Sequence, residues 1–511
     1  MHEQSKYCLF RIQKSDREKL ERFIFQRYPA KEWGTFFRFG FRRTTWGLAA
    51  SFVAAERPNP GDLDRSSPVT VFRSRYILRA HHIVEDSPLA AGVIHSHPLG
   101  YATFPSPSDD DMDGYYGEEL CRYGKGKPYA SIIFARDRDG AFRFTGRVFD
   151  CGEWYPVTEL LTVGDELQRD EAQVFAEEES EAEPAMPDAP LEESTIARLE
   201  SLLGRAASKR LSKAKVGIIG CSGTGSPVAE LLARAGIQHF VLVDPQYFAP
   251  SNLERMHGSR FADAQARSPL TKVEIAARHI REINPNAEMT CLQGNILDGM
   301  VLDALLECDL LMGCTDSQHG RAALGDIAAH YLVPSIDVAV TMRAKDGKLK
   351  VQLAEICQHA PHLPCPFCMG RIDPRDLSYE LMNDEERKWR KEAAKDARAK
   401  GIDGAQYWGD DPPQELTVGY MTTMAGSLAA GYAQHWLTGA STMPHQGFQF
   451  DVGWTKLGVT PIDKPRNPEC TCGRTIGFAD QARADRSVSR PPHWPAPRII
   501  GVHKNSKNGV D

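Results

Sequence analysis

"KVGIIGCSGTGSPVAELL", residues 215–232, decides the fold of the larger part of this chain. The apolar run "VGII" predicts a buried strand, Gly220, Gly223 and Gly225 predict a tight turn, and "SPVAELL" opens a helix. Such a turn lets backbone approach phosphate oxygens, while the helix N-terminus supplies positive potential. Alone, the pattern fits a mononucleotide site, a dinucleotide site or only a tight connection. Nineteen residues past Gly225, "HFVLVD" ends in Asp244, an acid placed to accept two ribose hydroxyls.

Further outward, "EMTCLQG", "CDLLMGC" and "VPSIDVAV" read as short buried strands separated by helical stretches such as "TKVEIAARHIREINP". That alternation predicts an α/β fold, Rossmann-like, with a mainly parallel sheet. "DEERKWRKEAAKDARAKG" predicts an exposed helix inserted late in the domain.

Three further segments, "SNLERM" (251–256), "TKVEIAARHIREINP" (271–285) and "GCTDSQHGRAAL" (313–324), follow the glycine turn in order. Together they resemble the ThiF/MoeB and ubiquitin-activating-enzyme family, whose pattern runs G-x-G-G-x-G-S, D-x-D, S-N-L-x-R-Q, a lysine, then C-T-D-N-x-x-x-R. The resemblance covers roughly residues 200–475. It implies that Gly220, Gly223 and Gly225 cradle ATP, that Asp244 holds the ribose, and that Asn252, Arg255 and Lys272 surround the phosphates. Asp316 would hold magnesium and Arg321 would support that turn. In the implied reaction a carboxylate attacks the α-phosphate of ATP, giving an acyl adenylate, and Arg255, Lys272 and magnesium offset the growing negative charge. Gln246, Ser222 and Met256 depart from the family pattern without removing one of these charged groups.

"CPFC" and "NPECTCGR" supply Cys365, Cys368, Cys470 and Cys472. Two close pairs of thiolates suit a closed, structural zinc site. Between Met369 and Gln414, where ubiquitin-activating enzymes proper carry a catalytic cysteine, there is none. Cys221, Cys314 and Cys357 do not match that position. A thioester is therefore not implied, and the adenylate passes to a partner's nucleophile or to a hydroxyl, for which "GYMTTMAGS" offers Thr422, Thr423 and Ser427.

The N-terminal part carries a second constellation, "IHSHPLGYATFPSPSDDDM", residues 94–112. His95 and His97 share one side of a strand because its period is two, so both imidazoles can reach one ion. Ser106 and Asp109 follow as S-x-x-D. The stretch resembles the JAB/MPN (JAMM) zinc metalloprotease motif: a glutamate, then H-x-H, then S-x-x-D. That resemblance implies a mixed α/β domain that cleaves bonds next to ubiquitin-like C-termini. It implies Asp109 as third zinc ligand, Glu32 of "YPAKEWGTFFRFG" as general base and Ser106 as oxyanion support. The spacer between His97 and Ser106 is one residue longer than usual, which leaves Ser108 and Asp111 as an alternative register. Glu56 and Glu85 fit the base position less well, and His81 and His82 are not taken as ligands.

These readings divide the chain into a JAB/MPN-like domain (1–160), an acidic linker (161–195), a ThiF-like domain (196–480) and a weakly ordered tail (481–511). The chain has 511 residues, 41% hydrophobic and 25% charged, with net charge −7, so no global basic field favours nucleic acid or an anionic membrane. No secretory or membrane-spanning run is evident, and a cytoplasmic location is expected. The function implied is bifunctional: adenylation of the terminal glycine of a ubiquitin-like protein with ATP and Mg²⁺, and trimming or removal of that protein by a catalytic Zn²⁺. The alternative is activation of a sulfur carrier for cofactor biosynthesis, of thiamine or molybdopterin type; a third reading is a non-catalytic scaffold. A conjugating-enzyme-like partner and a homodimer are implied, with Arg198, Arg205 and Arg210 as candidates for an arginine lent across the dimer.

Overall fold

Aromatic and β-branched runs at both ends of the chain build two sheets, each in its own unit. The computed structural model describes residues 5–64, 66–101, 103–173, 194–402, 416–453 and 456–503. Most of the expected acidic linker, 174–193, lies outside these, as do 403–415 of the segment after Met369 and the end of the tail, 504–511.

The first unit takes in residues 1–190 with two short pieces, 329–332 and 474–485. Its elements run β1 (Tyr7–Gln13), α1 (Lys14–Ile24), β2 (Gly34–Thr44), β3 (Gly47–Glu56), α2 (Ser74–Asp86), β4 (Ala90–Ser96), α3 (Pro107–Tyr123), β5 (Tyr129–Arg136), β6 (Phe142–Asp150), β7 (Glu153–Val163) and β8 (Leu167–Glu171). The sheet order is β1-β3-β2-β4-β5-β6-β7-β8, and β1 also pairs parallel with β7, so the sheet closes into a barrel. Strand β2 shows why both faces of the wall are apolar. Phe37, Phe39 and Phe41 join one buried cluster with Phe10 and Phe134, whereas Phe36 joins another with Tyr76 of α2 and Tyr116 of α3.

The second unit contains α4 (Ala197–Leu203), α5 (Arg205–Lys213), β9 (Lys215–Ile219), α6 (Gly225–Arg234), β10 (His239–Val243), α7 (Phe261–Ala264), α8 (Lys272–Ile283), β11 (Glu288–Gln293), α9 (Gly299–Leu305), β12 (Leu310–Gly313) and α10 (Gln318–His330). There follow β13 (Ser335–Lys345), β14 (Lys348–His359), α11 (Pro374–Leu381), α12 (Asp384–Ala399), α13 (Gly419–Thr438), β15 (Gly447–Gly453), β16 (Lys456–Ile462) and β17 (Arg498–His503). Strands β13-β12-β9-β10-β11 are parallel, extended antiparallel by β14, β15 and β16 on one side and by β17 on the other. Strand order reverses between β9 and β12, the place where an open parallel sheet leaves a crevice for a ligand. The charged insert is helix α12, capped by Asn383 and Glu386.

Three expectations need correction. The first unit does not end at 160, because β7 and β8 continue to Glu171 and pair as a hairpin. Arg17 anchors β8 from within, its guanidinium meeting Asp170 at 2.7 Å. Nor is the whole tail weakly ordered: β17 gives its backbone to β11, whose outer edge would otherwise be unpaired. Residues 474–480, expected in the C-terminal domain, and 481–485, expected in the tail, belong to the first unit, where Phe41 N donates to Gln481 Oε1 at 2.8 Å.

Candidate functional site

At the carboxyl ends of β9, β10 and β12 the glycine turn is sterically fixed. Gly220 has φ +91°, and a Cβ there would stand 2.5 Å from the carbonyl oxygen of Cys314. A Cβ on Gly225 would collide with the carbonyl oxygen of Gly220. Asp244 directly follows β10, buried, accepting from Cys221 N and Gln246 N at 2.9 Å each. Burial raises its pKa, against the pull of Lys272. Lys272 starts α8, held by the Thr271–Glu274 capping box, and its Nζ donates to Gln246 Oε1 at 2.5 Å. Gln246, where the family often has a second acid, thus neighbours the lysine.

Asn252 is buried, its Oδ1 accepting from Ala249 N at 3.0 Å. Arg255 donates to Thr417 Oγ1 at 2.9 Å, beside Gly223, whose Cβ would lie 3.5 Å from Arg255 Cδ. Ser222 Oγ and Arg255 Nε are buried without a hydrogen-bond partner. Unsatisfied donors beside a glycine turn fit a phosphate-bearing ligand, which would supply the acceptors they lack. Asp316 is exposed in the loop after β12, facing the same end of the sheet.

Arg321 lies elsewhere than on that turn. Its Nε donates to the fully buried Asp337 of β13 at 2.8 Å, and Arg371 reaches the same oxygen at 3.3 Å while holding Glu355 at 2.8 Å. Glu380 of α11 accepts from the first two amides of α10, Gln318 N at 2.8 Å and His319 N at 3.0 Å. Sequence reasoning passed over Asp337, Arg371 and Glu380. The one available signal was an acid inside the apolar run "VPSIDVAV".

Cys365, Cys368, Cys470 and Cys472 converge, with Sγ–Sγ distances of 3.7 Å (Cys365–Cys368), 3.7 Å (Cys365–Cys470) and 3.8 Å (Cys368–Cys472). A tetrahedron with Zn–S near 2.3 Å has edges of about 3.8 Å, so the donors fit zinc without rearrangement. Cys470→Ser should remove one zinc equivalent by elemental analysis. It should also lower the melting temperature of this unit, at about 2–4 °C per kcal/mol lost. Unchanged zinc content would show that these thiols do not hold the ion.

In the first unit His95 Nε2 and His97 Nε2 stand 3.2 Å apart, with Asp109 oxygens 3.3 and 3.6 Å from them. The three form a metal-capable group, buried at both histidines. Burial would raise the pKa of Asp109, but its bonds to His95, His97 and Ser106 hold it well below the ordinary carboxylate range. Ser106 caps α3, and its hydroxyl donates to Asp109 Oδ2 at 2.7 Å. That serine orients the aspartate rather than standing free for an oxyanion. Asp111 lies exposed two residues on, outside the group. Glu32 is not part of the cluster: its Oε2 accepts from Thr70 N at 2.9 Å. The β2–β4 register nevertheless pairs Gly34 with His95, which carries Glu32 towards the level of His97.

Of the candidates for a lent arginine, Arg210 donates to Thr438 O at 2.7 Å, at the end of α13. No helix among the described residues is long and apolar enough to cross a membrane.

Comparison with known proteins bears on the second unit. The adenylyltransferase and sulfurtransferase MOCS3 of Sus scrofa is 33% identical over 166 residues, 30% of this chain and 35% of its own length. The sulfur carrier protein ThiS adenylyltransferase of Bacillus subtilis is 25% identical over 132 residues, 26% of this chain and 39% of its own. The chain thus spans little more than a third of these relatives' lengths. Among solved structures, E. coli MccB with AMPCPP and MccA covers 54% of this chain and 73% of that one, at 17% identity and a TM-score of 0.41. The model of the ThiF family matches residues 195–472, more than half of the chain, and the chain belongs to that family.

Proposed function

We propose that the second unit adenylates the C-terminal carboxylate of a ubiquitin-like or sulfur-carrier protein. What carries this reading is one convergence: the glycine turn with its unpartnered Ser222 Oγ and Arg255 Nε, together with Asp244, Lys272 and Asp316, at one end of the parallel strands. Asp244 keeps lone pairs for the ribose beyond the two amides it accepts from. Arg255 and Lys272 stabilise the charge that grows as pyrophosphate leaves. Magnesium held by Asp316 would add charge neutralisation on the phosphates. Similarity to a sulfurtransferase-linked adenylyltransferase and to a sulfur carrier protein adenylyltransferase favours a sulfur carrier over a conjugated modifier as the substrate.

A second reading concerns the first unit, favoured by the His95–His97–Asp109 group. We propose a JAB/MPN-type zinc peptidase that trims the carrier's precursor to its terminal glycine or detaches it from targets. Zinc there would polarise a carbonyl and acidify water. Glu32, once released from Thr70 N, would accept a proton, and Ser106 keeps Asp109 in place. A conjugating-enzyme-like partner and a homodimer remain parts of this proposal.

One experiment tests both readings: intact masses of a glycine-ending carrier extended by a short tail, after incubation with the full chain, ATP and magnesium. A shortened carrier bearing AMP is expected. With His97→Ala the catalytic zinc equivalent and the trimming should be lost while a pre-trimmed carrier still gains AMP. Trimming that survives His97→Ala would sink the peptidase reading. AMP formation absent across ubiquitin-like and sulfur-carrier substrates alike would sink the first.

A further inference from the structure

A hydrogen-bonded chain of side chains lies beside the start of α6 and includes none of the residues assigned above to the nucleotide. Glu230 Oε2 meets His257 Nδ1 at 2.8 Å and His279 Nε2 at 3.1 Å; His257 Nε2 meets Thr423 Oγ1 at 2.9 Å. An ionised carboxylate only accepts, so His257 carries its proton on Nδ1. In the neutral ring Nε2 is then bare, and the Thr423 hydroxyl donates to it. Hydroxyl, imidazole and carboxylate in this order are the parts of an activated oxygen nucleophile.

The position fits that use. His257 lies two residues beyond Arg255, with its backbone N donating to Ser226 Oγ at 2.9 Å, at the start of α6. Thr423 is in the second turn of α13, half-buried. Its neighbour Thr422 would stand 3.2 Å from a Cβ on Gly223, and Gly426 brings the same helix to within 2.8 Å, measured from its own Cβ position, of Thr224 O. Thr423 is thus the next residue in the chain after one that packs on the glycine turn. No cysteine stands between Met369 and Gln414 to take that role.

We infer that Thr423 is a catalytic nucleophile that takes the acyl group from the adenylate as an oxyester, with His257 as general base and Glu230 and His279 as positioning residues. The inference rests on the adenylation reading. Thr423 Oγ1 forms a bond to the glycyl carbonyl carbon and its proton passes to His257 Nε2. The bond from that carbon to the phosphate oxygen breaks, and AMP leaves as an anion. An amine of the acceptor then attacks the ester carbonyl, forming an amide and giving its proton to solvent, and Thr423 Oγ1 leaves with the proton returned by His257.

The test bypasses ATP. N-acetylglycylglycine 4-nitrophenyl ester carries the same activated glycyl carbonyl, and the full chain should release a burst of nitrophenolate equal to its concentration. Intact mass and peptide mapping should put one acyl group on Thr423, stable to thiols and released by hydroxylamine. Thr423→Val should lose burst and adduct, Thr423→Ser should keep both, and His257→Gln should acylate at least tenfold more slowly and lose the rise of rate with histidine deprotonation. No adduct on wild-type chain, an adduct elsewhere, or Thr423→Val acylated at the wild-type rate would overturn the inference. AMP formation on a carrier without ester labelling also overturns it. Labelling of Thr423 without AMP formation supports the nucleophile and removes only the adenylation reading.

Discussion

Asp337→Ala should cost the second unit about 3–5 kcal/mol, the range seen when one partner of a buried ion pair is deleted. Asp337 is fully buried, between Arg321 and Arg371, and Glu355 completes a balanced set of two acids and two guanidiniums. Alanine would leave one positive charge uncompensated, with Arg321 Nε lacking its acceptor. A drop of roughly 6–20 °C in the thermal transition of this unit is expected, using about 2–4 °C per kcal/mol. A change of under about 1 kcal/mol would mean that water reaches and solvates the two guanidiniums. The same pair sets a pH dependence. Burial works to raise the pKa of Asp337, but Arg321 and Arg371 overcome it and hold the carboxyl below its ordinary value. Its contribution is therefore present above the unfolded carboxylate range, about pH 4, and is lost as the pH falls below that. A depressed pKa allows no loss on the alkaline side.

This network was the part of the site least legible in the sequence. Arg321, Asp337 and Arg371 come from a helix start, a central strand and a loop beyond the zinc pair, with no fixed spacing to betray them. Glu380 and the Glu230–His257–Thr423 chain share that property: each contact joins distant elements, and although Thr423 stood out as a hydroxyl, nothing near it in sequence pointed to His257 or Glu230. Residues within one local element were legible. The glycine turn demands its glycines through backbone collisions, His95 and His97 follow from strand period, and Ser106–Asp109 is a capping box four residues long. Such patterns are written in short range. Barrel closure through β1 and β7, and the pairing of β17 with β11, join edges that are far apart in the chain, so the ordered tail escaped notice.

Asp316→Ala should reduce AMP formation by about 10²–10³-fold, the scale of losing a preorganised electrostatic group at a transferring phosphate. Asp316 is exposed at the end of β12, so truncation leaves no buried charge and should hardly change stability. Its neighbourhood is nonetheless electrostatically connected: its negative charge is among the influences that raise the pKa of Asp244. The loss is expected in the chemical step, where negative charge grows on the phosphates, rather than in nucleotide affinity. Two measurements separate these effects. ATP affinity without magnesium should stay within about threefold of wild type, the scale of a small exposed-charge term, while turnover falls and its magnesium requirement rises. Zinc content should be unaffected, because Asp316 belongs neither to the His95–His97–Asp109 group nor to the four cysteines. Turnover that survives at the wild-type rate with the same magnesium dependence would show that another acid holds the metal. Asp316→Asn discriminates further: it keeps one oxygen ligand but not the charge, so partial recovery at high magnesium would assign the role to metal binding rather than to the shape of the loop.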